Sequence, residues 1–337
     1  MLIGYGSVGR RHAGVLSARY KRLAIVDTAR DARDDAKALY PDAAVCGDLK
    51  ELGEAGWDWA ASLAVIATLG PSHAGFFGDV VDLGTRYVVC EKPLASSAAA
   101  AAAMVDLAEQ TGTALGVNLH LRYSGFVSGL TTVTQALGPP VTLVVNGGAI
   151  GLVTNGIHYL DLACELFDAG PISVISTATG EAINPRSTDL GFYGGTAVFS
   201  FQHGREAVLS FSNRSSVGPS ITIYYATGMV VVNPDFTVRV LARDPVQLKK
   251  YPAVTRLGQP TEAVFSGPVP GIVSFQDRLN RLYDDVESGK PQVLSPATAL
   301  RSLAAVIGAL ASGAAGNAVS LPLDPGSGPG RNEWPIS

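Results

Sequence analysis

The sequence predicts an α/β protein with two domains, a fold class that rests on three observations. Strands and helices alternate up to about residue 120, which is typical of a parallel, doubly wound sheet. Strand-like runs separated by Gly, Pro and Asn dominate residues 173–241, which is typical of an antiparallel sheet. The length of 337 residues suits two domains of about 150 residues each. We therefore predict an N-terminal Rossmann domain over residues 1–121 and a C-terminal α+β domain with an open-faced, mostly antiparallel sheet over residues 122–337.

A glycine-rich turn follows the first predicted strand, residues 1–3. Its pattern is G-x-G-x-x-G, and a helix is predicted directly after it, over residues 10–20. Glycine permits the tight bend and the close approach of a pyrophosphate, and the helix start offers free N–H groups. The motif thus predicts cofactor contacts from Gly4, Gly6, Ser7, Val8 and Gly9.

A carboxylate ends the second predicted strand, residues 23–27. Asp27 follows Gly9 by 18 residues, close to the spacing of about 20 expected for the acid that holds an adenosine ribose. Because this carboxylate would repel a 2′-phosphate, we expect NAD as the cofactor. NADP stays possible, since Arg30 could partly rescue its binding.

The other elements follow in chain order. Further strands of the first sheet are predicted at 43–46, 63–67, 86–90 and 114–118, with a helix start at Pro71 and an alanine-rich helix capped by Ser96 or Ser97 that ends near Gly112. In the second domain, strands are predicted at 142–150, 173–179, 196–202, 207–212, 222–226, 229–232 and 237–241. Helices are predicted at 155–167, 273–287 and 297–315, and the Gly- and Pro-rich tail 324–337 is predicted to be irregular.

The composition of the chain makes some classes of function unexpected. The chain is 47% apolar and 16% charged with a net charge of −4, so neither a nucleic-acid surface nor an anionic membrane surface is expected. Three scattered cysteines favour a reducing compartment, and a glycine-rich turn that begins at residue 4 leaves no room for a signal peptide, so we expect a cytoplasmic protein. No metal site is expected, because the five histidines lack zinc-like spacing to cysteine.

Four segments carry a resemblance to the Gfo/Idh/MocA oxidoreductases of sugars and cyclitols. The resemblance extends to residues 286–291 and 319–322 and so covers nearly the whole chain. It implies cofactor contacts from Thr68, His73, Glu91 and Lys92 in addition to the glycine-rich turn. The four segments are residues 4–12, Ala67-Thr68 with Pro71 and His73, Cys90-Glu91-Lys92-Pro93-Leu94, and Asn155-Gly156-Ile157-His158-Tyr159-Leu160-Asp161-Leu162.

Lys92 and His158 are the predicted catalytic residues. Lys92 follows a buried strand at the carboxyl end of the sheet, where it can stabilise charge on a substrate oxygen or transfer a proton. From the residues alone, Lys92 could equally be a surface lysine paired with Glu91, and the resemblance favours function. His158 lies on the predicted helix 155–167 and can accept the proton of a secondary alcohol.

One departure from the family pattern concerns the partner of His158. Many members carry Asp four residues before this histidine, where this chain has Thr154, which cannot supply a counter-charge. Either Lys92 then does more of the proton transfer, or Asp161 orients His158. Thr154, Asn155 and Asp161 are predicted substrate contacts.

Two further substrate contacts are predicted in the segment that leaves the last Rossmann strand. His120 and Arg122 could bind sugar hydroxyls, a phosphate or a carboxylate, or could serve interdomain hydrogen bonding instead.

The resemblance implies an NAD-dependent oxidoreductase that interconverts a secondary alcohol and a ketone on a sugar, amino sugar, nucleotide sugar or cyclitol. Residue usage suggests an actinobacterial source and a place in secondary metabolism, including antibiotic biosynthesis. The alternatives are an NADPH-dependent ketosugar reductase and a nucleotide-binding sensor or scaffold without turnover. A homodimer or homotetramer built through the antiparallel sheet is expected, because several strands carry apolar residues on both faces.

Overall fold

The protein is described from a computed structural model that places residues 1–148, 150–184, 187–212, 214–250 and 262–336. Residue 149 of the predicted strand 142–150 and residue 337 of the predicted tail lie outside the described residues. The chain divides into two compact units. The first comprises Met1–Tyr123, Ser274–Leu303 and Arg331–Ser337, and the second comprises Ser124–Val273 and Ala304–Gly330.

The helices and strands are numbered here in chain order. The helices are α1 Ser7–Arg19, α2 Arg30–Leu39, α3 Leu49–Glu54, α4 His73–Asp82, α5 Ala98–Thr111, α6 Phe126–Thr134, α7 Gly156–Phe167, α8 Pro245–Lys250, α9 Phe275–Glu287, α10 Pro296–Ala315 and α11 Gly328–Arg331. The strands are β1 Leu2–Ile3, β2 Ala24–Val26, β3 Ala44–Cys46, β4 Leu63–Ile66, β5 Tyr87–Cys90, β6 Ala114–Val117, β7 Pro140–Gly147, β8 Ser173–Ser176, β9 Thr179–Asn184, β10 Ser187–Ser200, β11 Glu206–Phe211, β12 Ser220–Tyr225, β13 Gly228–Val232, β14 Thr237–Ala242, β15 Glu262–Pro268 and β16 Val319–Ser320.

The first unit contains a six-stranded parallel sheet in the order β3-β2-β1-β4-β5-β6. The direction of the strand order reverses between β1 and β4, and such a reversal opens a crevice at the carboxyl ends of the strands where ligands bind. The central strands are buried on both sides, as their unbroken apolar sequences predict. This unit is the predicted Rossmann fold.

Helix α9 belongs to the first unit, although the predicted domain boundary assigned residues 273–287 to the second. A Cβ built on Gly116 of β6 would lie 2.2 Å from Val286 and 3.2 Å from Leu282, so α9 packs directly on the sheet. The sequence of an amphipathic helix does not show which of two sheets the helix covers. The prediction followed chain order and therefore assigned this helix to the second domain. The predicted division at residues 121 and 122 otherwise stays a prediction.

The second unit contains a ten-stranded sheet with the path β15-β14-β13-β12-β7-β11-β10-β8-β16, and β9 pairs with β10. Among its described pairs, β7 and β11 run parallel and the others antiparallel. The two sheets together confirm the predicted fold class. Helix α7 packs against β7 and β11, on the face that carries the buried side chains.

The opposite face of this sheet carries a row of mostly apolar side chains that pair across neighbouring strands. The row is half-buried except for Ile175, which is 53% exposed. We call this surface the open face. It comprises Ile175, Val198, Val208, Val144, Thr222 and Val231.

Some elements differ from the sequence-based expectations. The alternating burial along β12 shows one buried and one open face within the chain, and cover of the open face by a partner subunit stays a prediction. Strands β9, β15 and β16 and helix α6 were not predicted. The predicted irregular tail contains α11, and Ile336 near its end is 1% exposed. Helix α10 is long and apolar enough to cross a membrane, but 67% of that stretch is buried inside the protein, as in the core helix of a soluble fold.

Candidate active site

The glycine-rich turn after β1 has no space for side chains at two of its glycines. Gly4 has φ +92°, and a Cβ there would lie 2.8 Å from the carbonyl group of Ala67 in the turn after β4. A Cβ on Gly9 would lie 2.0 Å from the Gly4 oxygen. Helix α1 begins at Ser7, and Gly6 and Ser7 are exposed, so the helix start is open to a pyrophosphate. The turn fits a dinucleotide.

Asp27, at the end of β2, is fixed by two main-chain N–H groups. Its Oδ2 accepts from the N–H of Tyr5 in the glycine-rich turn at 2.6 Å, and its Oδ1 accepts from the N–H of Ala29 at 2.8 Å. The remaining lone pairs of the two oxygens can accept ribose hydroxyls. Arg30, the predicted alternative contact for a 2′-phosphate, is highly exposed and pairs with Asp34 at 3.7 Å.

His73 joins two turns at the carboxyl end of the sheet. Its Nδ1 lies 2.8 Å from the carbonyl oxygen of Pro93, and its Nε2 lies 3.1 Å from that of Thr68. The ring is fully buried, and this burial lowers the pKa of His73. The ring lies between the turn that carries Lys92 and the turn that carries Thr68, and as a neutral imidazole it donates its one N–H to one of these two oxygens. The predicted cofactor contact of His73 stays a prediction.

Glu91 is a buried carboxylate held by side chains from two other elements. Its Oε1 lies 2.7 Å from Nε2 of His12 and accepts from the amide of Asn118 at 2.6 Å, and its Oε2 accepts from the N–H of Lys92 at 3.3 Å. Burial alone would raise the pKa of Glu91. The hydrogen bond and the electrostatic attraction of His12, followed by the hydrogen bond from Asn118 and the charge of Lys92, instead hold this pKa at about 2. Glu91 is therefore ionised at neutral pH.

Lys92 follows β5, whose neighbours in the sheet are β4 and β6. The residue is half-buried, and its peptide bond to Pro93 is cis. Its position at the carboxyl edge of the sheet, between the turns that carry Thr68 and His120, is the one where open α/β sheets bind substrate and cofactor.

His120 lies in the turn after β6, and its environment favours the neutral imidazole. Burial, followed by the positive charge of Arg278, lowers the pKa of His120 to about 4. A neutral imidazole suits a substrate hydroxyl better than a phosphate or carboxylate. Arg278, on α9, is half-buried, and burial lowers its pKa as well. Arg122 is half-buried in the same turn as His120.

Arg278, His12 and Asn118 were not predicted as site residues. Arg278 was missed because its helix was assigned to the second domain. His12 lies in the segment 4–12 and Asn118 ends the predicted strand 114–118, but no sequence signal connects either residue with Glu91.

The second unit places the other predicted residues along one continuous segment. Thr154 and Asn155 lie in a π-helical turn, Gly151–Asn155, and α7 starts after it at Gly156, one residue later than the predicted helix 155–167. The Asn155 amide donates to the carbonyl of Ile150 at 2.9 Å. Thr154, His158 and Asp161 are all buried. Inserted π-turns of this kind occur frequently at functional sites.

The N-terminal segment has a clear family match. Residues 1–119 match the family model GFO_IDH_MocA, an oxidoreductase family with an NAD-binding Rossmann fold. These 119 residues belong to the Gfo/Idh/MocA oxidoreductases. The match confirms the predicted family, the prediction of an NAD-binding oxidoreductase and the cofactor NAD.

Solved structures show the same fold over almost the whole chain. WlbA dehydrogenase from Bordetella pertussis, in complex with NADH and UDP-GlcNAcA, is 21% identical, with a TM-score of 0.70 and coverage of 96% of this chain and 98% of its own. UDP-N-acetylglucosamine 3-dehydrogenase GnnA from Acidithiobacillus ferrooxidans is 17% identical, with a TM-score of 0.71 and coverage of 92% and 96%. GenD2 from gentamicin A biosynthesis, in complex with NAD, is 20% identical, with a TM-score of 0.72 and coverage of 95% of each chain. No curated protein matches the sequence.

The last feature of the site concerns side chains that could bind a metal ion. In the described parts of the chain, no group of three or more His, Cys, Asp or Glu side chains could hold a metal ion.

Proposed function

We propose that the protein is an NAD-dependent dehydrogenase that interconverts a secondary alcohol and a ketone on a sugar, amino sugar, nucleotide sugar or cyclitol. The observation that carries the proposal is the position of Lys92. It is half-buried at the carboxyl edge of the parallel sheet, on a turn fixed by the hydrogen bonds of His73 and Glu91. A cation fixed at that edge can bind the oxygen whose charge changes during the reaction.

The chemistry divides between the cofactor and the chain. Bound NAD supplies the hydride acceptor for alcohol oxidation, and the alcohol proton passes to a protein base. Lys92 donates an N–H to the reacting oxygen and stabilises the charge that develops on it. The proton acceptor is His158 or, in its uncharged amine form, Lys92; these are the two acid/base groups of the predicted site.

The proposed substrate class has two supports. The chain shares its fold with a UDP-N-acetylglucosamine 3-dehydrogenase and with a dehydrogenase crystallised with UDP-GlcNAcA. In addition, the neutral form of His120 suits hydrogen bonding to a hydroxyl group. A role in antibiotic biosynthesis, and more broadly in bacterial secondary metabolism, is proposed on the likeness to GenD2.

We further propose a cytoplasmic homodimer or homotetramer. The support for oligomerisation is the open face, a continuous row of mostly apolar side chains along the central strands of the second sheet. An apolar sheet surface of this kind is usually covered by protein.

The test is reduction of NAD, measured as absorbance at the reduced-nicotinamide band with a panel of sugars, amino sugars, nucleotide sugars and cyclitols. Mass spectrometry of co-purified ligand selects the first compounds of the panel. Lys92→Ala should abolish turnover while the dissociation constant of NAD stays near that of the wild type. Lys50→Ala is the matched control, because Lys50 is highly exposed on α3 and pairs with Glu54 on the same helix.

Two outcomes would contradict the proposal. NAD binding without turnover of any compound in the panel would favour a nucleotide-binding sensor. Near-normal activity of a folded Lys92→Ala variant would make Lys92 a surface partner of Glu91.

A further inference from the structure

A buried chain of hydrogen bonds leads from helix α9 to the turn that carries Lys92. The hydroxyl of Tyr283 lies 2.6 Å from Nδ1 of His12, and Nε2 of His12 lies 2.7 Å from Oε1 of Glu91. Tyr283 and His12 are fully buried, and Glu91 is 6% exposed. We call these three side chains the Tyr-His-Glu chain. Its members come from α9, α1 and the residue after β5, so it exists only in the folded unit.

The protons of this chain can be assigned from its charges. Glu91 is ionised, and a carboxylate only accepts hydrogen bonds, so Nε2 of His12 carries a proton. Burial, followed by the charge of Glu91, raises the pKa of Tyr283, so its phenol stays protonated. The hydroxyl of Tyr283 then holds the His12 ring in place through its 2.6 Å contact with Nδ1.

This negative charge lies beside Lys92. Oε2 of Glu91 accepts from the main-chain N–H of Lys92, and Oε1 is held by Asn118 as well as by His12. A fixed carboxylate stabilises a neighbouring ammonium group, and the effect weakens when the carboxylate is lost or turns away.

We propose that His12 and Tyr283 are positioning residues of the reaction centre, which hold the carboxylate of Glu91 beside Lys92 so that its negative charge favours the ammonium form of this lysine. The inference rests on the proposed function in one respect, the action of Lys92 on the reacting oxygen. It adds His12 and Tyr283 to the groups that control this lysine, although neither residue touches substrate or cofactor.

Other charged or titratable groups also act on the reaction centre, and the variants of the test do not alter these groups. Arg278 on α9 contributes a positive charge near His120 and therefore acts against the effect of Glu91. Burial lowers the pKa of both His73 on α4 and His120 after β6, so both are neutral at neutral pH. Tyr283 also interacts electrostatically with Arg19 on α1, which is paired with Asp284 and Glu287.

The experiment measures the protonation of Lys92 without a substrate. The protein is labelled with acetic anhydride at a series of pH values from about 6 to about 11, and mass spectrometry gives the labelled fraction of the Lys92 peptide. Labelling of the exposed Lys50 in the same digest is the internal reference. Dissociation constants for NAD and thermal unfolding curves report whether each variant is folded.

Four variants separate a positioning role from simple packing. Glu91→Gln removes the charge and should lower the half-labelling pH of Lys92 by about one unit or more. His12→Leu removes a donor to Glu91, and Tyr283→Phe removes the hydroxyl that holds the His12 ring. Both leave the Glu91 carboxylate free to turn away from Lys92 and should lower the half-labelling pH by a smaller amount. His12→Gln can place an amide N–H near the position of Nε2 and should restore a value close to that of the wild type.

The same data can overturn the proposal. A wild-type half-labelling pH in folded His12→Leu and Tyr283→Phe, with a lowered value in Glu91→Gln, would reduce His12 and Tyr283 to packing roles. An unchanged value in Glu91→Gln would remove the link between Glu91 and Lys92. If His12→Leu does not fold, Tyr283→Phe decides by the same criterion. Labelling needs no turnover, so an active Lys92→Ala enzyme would refute the proposed function and leave this result standing.

Discussion

Asp27 is held where it should discriminate between NAD and NADP. Both of its oxygens accept main-chain N–H groups, at 2.6 and 2.8 Å, so the carboxylate cannot turn away from a 2′-phosphate. Two unit charges 4 Å apart repel by about 1 kcal/mol in water and about 4 kcal/mol near a protein surface, and a phosphate carries up to about two charges. Because Asp27 is half-buried, we take the lower part of this range, about 2 kcal/mol. That energy corresponds to a preference for NAD of at least about tenfold.

The assay is the dissociation constant of each cofactor by titration calorimetry. In Asp27→Asn, NAD should bind about tenfold more weakly, because a charged acceptor of ribose hydroxyls is lost, while NADP should bind no worse than to the wild type. Asp31→Asn is the matched control, since it removes an exposed carboxylate from the first turn of α2. Tighter binding of NADP than of NAD by the wild-type protein would refute this reasoning and assign the 2′-phosphate to another group.

Three further predictions concern the turn, the proton acceptor and the assembly. Gly9→Ala should abolish NAD binding, because its Cβ would lie 2.0 Å from the Gly4 oxygen; calorimetry with a circular-dichroism check of folding tests this, and unchanged affinity would contradict it. Thr154→Asp should move the inflection of the pH–rate profile to higher pH, because a carboxylate favours the charged form of His158. An unchanged profile together with an active His158→Ala enzyme would exclude this histidine as the acid/base. Light scattering should show an oligomer at micromolar concentration that Val144→Lys on the open face converts to a monomer, and a wild-type monomer would contradict the proposed interface.

The fold was predictable where local sequence determines it. Unbroken apolar runs such as 63–66 and 87–90 identify buried parallel strands, and G-x-G-x-x-G fixes the start of the Rossmann unit. The second sheet was predicted only in part. Strand β9 contains Gly180 and Asn184 and lacks a regular alternation, and β16 has only two residues, so neither carries a strand signal.

The place of α9 was not predictable from the chain order. Its apolar side chains could cover either sheet as far as the sequence shows, and the packing of Val286 on Gly116 decides the question. A glycine in a strand commonly marks a close approach of another element, so Gly116 was the available signal for this contact.

Some residues of the candidate site are positioned by the neighbouring sequence, and others are positioned by distant parts of the chain. Gly4, Asp27 and Lys92 each lie next to the strand that positions them, and the sequence predicted their places. His12 reaches Glu91 across 79 positions of the chain and Tyr283 across 271, so no spacing rule connects them.

His73 illustrates how far the role of a histidine depends on its partners. The sequence shows a histidine near a cofactor turn, and only the structure shows that both ring nitrogens face main-chain oxygens. His12 has the same burial but faces a carboxylate and a phenol, two groups that titrate or carry charge. The contacts of His73 lie between two main-chain turns, whereas the contacts of His12 hold the carboxylate of Glu91 beside Lys92. This difference in partners is the physical reason for assigning structural support to His73 and control of Lys92 to His12.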